Sequence, residues 1–314
     1  RALGAGGADV AAGRGRVTGP RHARGWVRLA PALFILIWSS GYVVAKAAAP
    51  YAEPLTFLLL RYVGVIALMA ALAWLARARW PASPAQVAHL AIAGIGIQAV
   101  YLGGVWVAVK HGMPAGMAAL IVNLQPVLTA VAGPLIGERV RPLQWAGLVL
   151  GFVGVALVVW NKLGAAMPPW TVALAVLSLL AITAGTLYQK RFVPAFDLRT
   201  GQVVQFAASA VVTLPFALAF ESFSITWNLQ VVAAMLWSVL VLTGGGISLL
   251  FMMIRDGRAT QVTSYMYLVP AVTAIMAWAM FGERLGTVAL AGMLVTIAGV
   301  ALVVRKPAAA TPPR

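Results

Sequence analysis

Charge is so scarce in this chain that each ionisable side chain within an apolar stretch carries information. Arg61 and Lys46 are two such residues. A charged side chain near the centre of a membrane helix costs roughly 2.5–3.5 kcal/mol on insertion scales. Lys46 stands near the end of its apolar stretch and can extend its stem to the interface. Arg61 lies a turn or two inside the next stretch. A guanidinium so placed, with or without Lys46, can attract the carboxylate of a small organic solute. Interfacial anchoring or bonding to helix carbonyls is the competing use.

Polar side chains gather at similar depths: Trp38, Ser39, Ser40, Tyr101, Asn123 and Gln125 in the first half. Thr183, Gln205, Ser248, Ser264, Tyr265 and Tyr267 form the set in the second half. Amides and aromatic hydroxyls can hold the backbone of a zwitterion and cover an apolar side chain. Interhelical hydrogen bonding, worth roughly 0.6 kcal/mol per pair, explains any single one of them equally well.

Other chemistries find no residues. The acids Asp9, Glu53, Glu138, Asp197, Glu221, Asp256 and Glu283 fall in tails, loops or span ends, so no central carboxylate is available as a proton relay. There is no cysteine, and His22, His89 and His111 lack metal-ligand spacing. Neither a metal nor a cofactor is expected, and an enzyme would lack its acid, base or nucleophile. Gly94-Ile-Gly96-Ile-Gln98-Ala99 loosely matches a dinucleotide fingerprint, but it sits inside an apolar run without the required strand or acid.

What positions these residues is a structure written twice. At an offset of 144, Gly41 falls on Gly185, Lys46 on Lys190, Arg61 on Gln205, Asn123 on Tyr267 and Pro126 on Pro270. One inserted residue later, Gly137-Glu138-Arg139 falls on Gly282-Glu283-Arg284 and Gly154 on Gly299. Proline in a helix interior removes a donor and clashes with the preceding turn. Pro126 and Pro270 therefore predict paired helix breaks. Gly103 and Gly104 (with Gly94 and Gly96) in one half answer Gly244, Gly245 and Gly246 in the other. Paired Gly/Pro interruptions at membrane depth point to a central site. The expected lining is spans three, four, eight and nine, with one and six beside them. Gly147, Gly151 and Gly154 share a face, as do Gly292, Thr296 and Gly299. These faces suit a scaffold or the contact with a second copy in a homodimer.

Composition agrees with a membrane setting. The 314 residues are 62% hydrophobic and 10% charged, with a mean hydropathy of +0.92. A soluble domain carries about a quarter charged residues. Ten apolar segments follow one another, near 30–49, 55–76, 87–109, 114–136, 142–160, 170–189, 200–220, 229–254, 261–281 and 286–304. Each approaches the roughly 20 residues that cross a bilayer. Of 23 Lys and Arg, all but Lys46, Arg61, Lys110, Lys162 and Arg284 lie in the tails or alternate loops that share the N-terminal side. The positive-inside rule then places both termini in the cytoplasm. The formal charge of +16 belongs to this partition. Without a basic domain outside the spans, no nucleic-acid partner is expected.

Trp38-Ser39-Ser40-Gly41, Asn123-Leu124-Gln125-Pro126, Leu268-Val269-Pro270 and the two Gly-Glu-Arg motifs, in this order and doubled, resemble the drug/metabolite transporter superfamily, specifically its ten-helix exporters with two EamA repeats. The resemblance covers about residues 30–305. It implies an all-α integral membrane protein of ten transmembrane helices in two inverted five-helix repeats, 29–160 and 170–305. A basic tail (1–28) and a short tail (306–314) flank them. It also implies a carrier in the inner or plasma membrane exporting amino acids or related metabolites and drugs through a central cavity. Import or exchange of a sugar- or nucleotide-linked metabolite is the alternative, and a channel is the alternative of another class.

Overall fold

The computed structural model describes residues 21–132, 142–160, 167–246, 248–249, 266–283 and 286–304. The outer parts of both tails, Gly137-Glu138-Arg139, Ser264, Tyr265 and Arg284 lie outside the described residues, as does the side chain of Tyr267.

The described residues are helical and form no strand; a single antiparallel bridge joins Ala52 to Ile225. The helices of the first half are α1 (Arg21–Ala48), α2 (Pro54–Leu75), α3 (Pro84–Lys110), α4 (Ala115–Val122), α5 (Gln125–Val131) and α6 (Pro142–Trp160). Those of the second half are α7 (Pro169–Phe192), α8 (Leu198–Phe220), α9 (Leu229–Gly245), α10 (Val269–Phe281) and α11 (Thr287–Val304).

Helix starts are set locally. Proline occupies the first turn of α2, α3 and α7, where its missing N–H leaves no bond unmade. Ser83 accepts from the Gln86 amide at 3.2 Å, Asp197 from Arg199 at 2.9 Å, and Asn228 from Val231 at 2.9 Å. Each satisfies an orphan donor at a helix N-terminus. Gly282 ends α10 in the left-handed region at φ 67°, a conformation that suits glycine.

Among the described residues five helices are long and apolar enough to cross a membrane: Leu29–Ala48 in α1, then α2, α3, α7 and α8. Five shorter apolar helices accompany them. Where ten full spans are expected, the described residues give five long helices and five shorter ones; of the shorter, the fourth apolar segment breaks at Asn123-Leu124 and the ninth is preceded by a 3-10 turn, Met266–Leu268. Val63, Val211, Leu218 and Leu294 stand more than 60% exposed on the outer surface, as side chains facing lipid do. Trp74, Trp80, Trp145, Trp170 and Trp227 are exposed near helix ends, where amphipathic rings favour the interface.

Packing respects the repeat. α6 lies along α11, α2 along α8, and α4 along α10. α3 packs on α7 and α8, as their counterparts α9, α1 and α2 do. Exchanging the two halves returns these pairings, whereas the contacts of α3 with α1 and α2 have no equally extensive counterpart. The α6–α11 pair is the closest: a Cβ on Gly292 would meet the Gly154 carbonyl at 2.6 Å, and one on Gly299 the Gly147 carbonyl at 2.7 Å. The small-residue faces read from sequence thus turn toward each other within one chain.

Candidate transport site

Each of the two prolines sits second in an α-helical stretch, α5 from Gln125 after a turn and α10 from Val269 after the 3-10 turn Met266–Leu268, and these two starts are 144 apart. Placed there, proline forfeits no hydrogen bond. The turn at Asn123 is buried, and its side-chain amide donates back to the Ala119 carbonyl at 2.7 Å.

The glycine-rich helices carry a second matched irregularity. α3 widens into π-helix at Ile95–Val100 and α9 at Trp237–Gly245. Such wide turns shift a carbonyl out of the α-helical ladder and recur at functional sites. α2 reaches both. The Tyr62 hydroxyl donates to the Gln98 carbonyl at 2.6 Å, and Arg61 Nη2 to Thr243 Oγ1 at 3.4 Å. Thr243 in turn donates to the Ser238 carbonyl at 3.1 Å.

Arg61 is 8% exposed. Its guanidinium carbon lies 5.8 Å from the Phe206 ring centroid, within reach of a cation–π attraction. Its Nε is buried with no hydrogen-bond partner. Among the described residues no carboxylate pairs with it. Its ionisable neighbours are Tyr62 and Tyr101, and Tyr101 shares a 3.3 Å hydroxyl contact with Tyr42. A buried cation without a counter-ion is expensive unless something anionic completes it.

Lys46 is different: it pairs with Glu283 Oε1 at 3.4 Å. The same oxygen accepts the amide of Ala115, at the start of α4, at 3.4 Å. One carboxylate thus ties α1, α4 and the end of α10.

The remaining candidates divide by role. Ser39 donates to the Val269 carbonyl at 3.4 Å and accepts Thr273 through its own carbonyl at 3.3 Å, joining α1 to α10. The Trp237 indole donates to Ser40 at 2.8 Å. Gln125 donates to Thr186 at 3.1 Å, and Gln205 to Gln189 at 2.6 Å. Thr183 and Ser248 bond back to carbonyls of their own helices. Trp38 is half-buried against Phe34, 5.6 Å between centroids. Gly244, Gly245 and Gly246 line the wide turn of α9 against α1 and α2.

A cavity of about 710 Å³ opens elsewhere, between α2, α3, α7 and α8. Gly103 and Gly104 line it; the other candidate residues do not. Above it two carboxylates reach across the halves. Glu53 accepts the amides of Ser222 and Ser224 at 2.9 and 2.8 Å. Glu221 accepts the amides of Leu55 and Thr56 at 2.8 and 2.7 Å, capping α2 from outside its own sequence. Burial nudges the Glu53 carboxyl up, but the Ser224 and Ser222 hydrogen bonds and the Lys110 charge hold it below its ordinary value of 4.5. At the opposite end Asp197, the equivalent of Glu53, is held by Arg199 at 2.8 Å; that hydrogen bond keeps its carboxyl below 3.8. Sequence reading overlooked Tyr42, Tyr62, Thr243 and this clasp. The offset that matches Glu53 with Asp197 was the available signal.

Known proteins agree with this architecture. A solved crystal structure superimposes with a TM-score of 0.62 at 20% identity, covering 88% of this chain and 96% of that one. The uncharacterized transporter YvbV of Bacillus subtilis is 28% identical over 87% of this chain and 89% of its own length. The uncharacterized inner membrane transporter YedA of Escherichia coli matches at 28% with the same coverage. A probable amino-acid metabolite efflux pump of Salmonella typhimurium is 24% identical over 85% of this chain and 91% of its own. Residues 26–160 and 169–305 each match the EamA-like transporter family. With its doubled helix breaks, lipid-facing helices and two matched repeats, the chain is a multi-pass membrane transporter of the EamA-like family.

Proposed function

We propose that this transporter exports a small organic solute bearing a carboxylate, an amino acid or related metabolite, by alternating access between two inverted five-helix repeats. Ten spans with both termini in the cytoplasm complete the reading. The observation that carries it is Arg61: a buried guanidinium with an orphan Nε, no acidic partner, and a place between two matched wide turns. A substrate carboxylate would supply the missing acceptor, and Tyr101, a neighbour of Arg61 whose hydroxyl contacts that of Tyr42, would share its recognition. The pairings that recur between the halves, with the unequal contacts around them, support two interconvertible arrangements. The name of the Salmonella typhimurium relative supports the substrate class.

Flux of a labelled panel of anionic, zwitterionic, neutral and cationic solutes through proteoliposomes tests the reading, in wild type and in Arg61→Gln. Carboxylate-bearing solutes are expected to move, and the variant to lose at least about tenfold in rate. Because removing an unpaired buried charge relieves a penalty, Arg61→Gln is also expected to melt no lower than wild type. Equal transport by the variant, or preference for cationic solutes, overturns the proposal.

A further inference from the structure

The 710 Å³ cavity is distinct from the Arg61 site, and its shape follows from how three helices diverge. α7 and α8 are consecutive yet make no extensive contact. They meet at the loop 193–197 and part toward their other ends, leaving a gap whose floor is α3. Gly103 keeps that floor low: a Cβ there would touch only Leu55, at 3.6 Å. The walls are apolar, and Leu177 and Phe216 stand 48% and 54% exposed on them, so the groove opens sideways to the surroundings of the helices. Along α3 it runs from Lys110 to Ala99, about 16 Å at 1.5 Å per residue. That is about half of a bilayer's ~30 Å hydrocarbon core, the depth of one leaflet. Its volume lies within the roughly 300–1,000 Å³ of small-molecule sites.

The mouth is charged and mixed. Lys110 donates to the carbonyls of Ala49 and Ala52, which leaves one of its three N–H groups. Glu53 and Glu221 flank it, their charge directed into backbone amides. Trp170 stacks edge-on against His111 at 4.8 Å, at the level where interfacial aromatics belong. A cationic donor beside two carboxylates, above an apolar slot one leaflet deep, fits a zwitterionic headgroup whose phosphate meets Lys110 and whose ammonium meets the acids.

We infer that this groove is a lipid site, taking one acyl chain of a zwitterionic phospholipid such as phosphatidylethanolamine from the adjoining leaflet. The lipid acts as a wedge that fills the gap between α7 and α8. Native mass spectrometry of the purified full chain, titrated with palmitoyl-oleoyl phosphatidylethanolamine, reads the site directly. Wild type is expected to retain one lipid per chain. Val107→Trp fills the groove from its floor, and Leu177→Trp does so from a half-exposed wall where folding is not at risk. Both are expected to lower retention about tenfold or more. Lys110→Gln is expected to weaken phosphatidylethanolamine while leaving diacylglycerol unchanged. Equal retention by wild type and both tryptophan variants overturns the site. Diacylglycerol bound as tightly as phosphatidylethanolamine by wild type overturns the headgroup assignment.

Discussion

At the scale of single residues, the informative side chains are those whose surroundings contradict their chemistry. Arg61 was visible in the sequence because a charge in an apolar run is anomalous whatever the fold. Its neighbours Thr243 and Phe206 were not: they come from two other helices, and no spacing rule connects them. Lys46 looked similar in sequence, yet the structure gives it an ion pair with Glu283. Glu53 offers a test at this scale. Its carboxyl is held below 4.5 in the folded chain, so folding favours the ionised form. The stabilisation is complete above the ordinary carboxyl value and is lost as pH falls through the lower folded value. Lys110, Glu221, Ser222 and Ser224 are the groups that face it. Unfolding measured in detergent should therefore show wild type more stable than Glu53→Gln near neutrality. The gap should close as pH falls below the ordinary carboxyl value of 4.5; a constant gap would mean that the ionised form is not what holds the clasp.

At the scale of elements, proline and glycine were legible to different degrees. A proline in an apolar run demands a break, and the repeat showed that there are two. Sequence could not tell the form of the break, because both Asn123 and Leu268 keep right-handed dihedrals and only the local hydrogen bonding tightens. The glycine clusters indicated irregularity without its form; in the structure both π-helical stretches are met by side chains of α2. Glycines also separate close approach from open space. Gly292→Ala would put a Cβ 2.6 Å from the Gly154 carbonyl, whereas Gly103→Ala meets only a leucine methyl at 3.6 Å. Overpacking typically costs about 1–3 kcal/mol, so Gly292→Ala should lower the melting temperature while Gly103→Ala leaves it unchanged. Thermal unfolding of the two variants side by side checks this, and indistinguishable melts would mean that α6 and α11 are not so close.

At the scale of the molecule, the doubled sequence announced the doubled packing, since two copies of one pattern bury their faces in equivalent ways. The lateral groove was not legible, because it arises from the divergence of two consecutive helices. The cross-half clasp offers a direct handle, since the chain has no cysteine of its own. Ala52 and Ile225 form an antiparallel bridge, and such paired residues stand about 4.5–5.5 Å apart, within disulfide range. Ala52→Cys with Ile225→Cys should cross-link under mild oxidation. Transport should stop when the link forms and return on reduction; undiminished flux through the linked protein would show that this end need not part.

The two acids related by the repeat are in different employment. Glu53 grips the opposite half, while Asp197 is occupied with an arginine two residues along its own helix. A fastener supplied in duplicate is done up at one door by its acid, while at the other only the Thr200 hydroxyl reaches across, to the Arg79 carbonyl. The chain as seen here is therefore lopsided, its two matched ends latched with unequal strength.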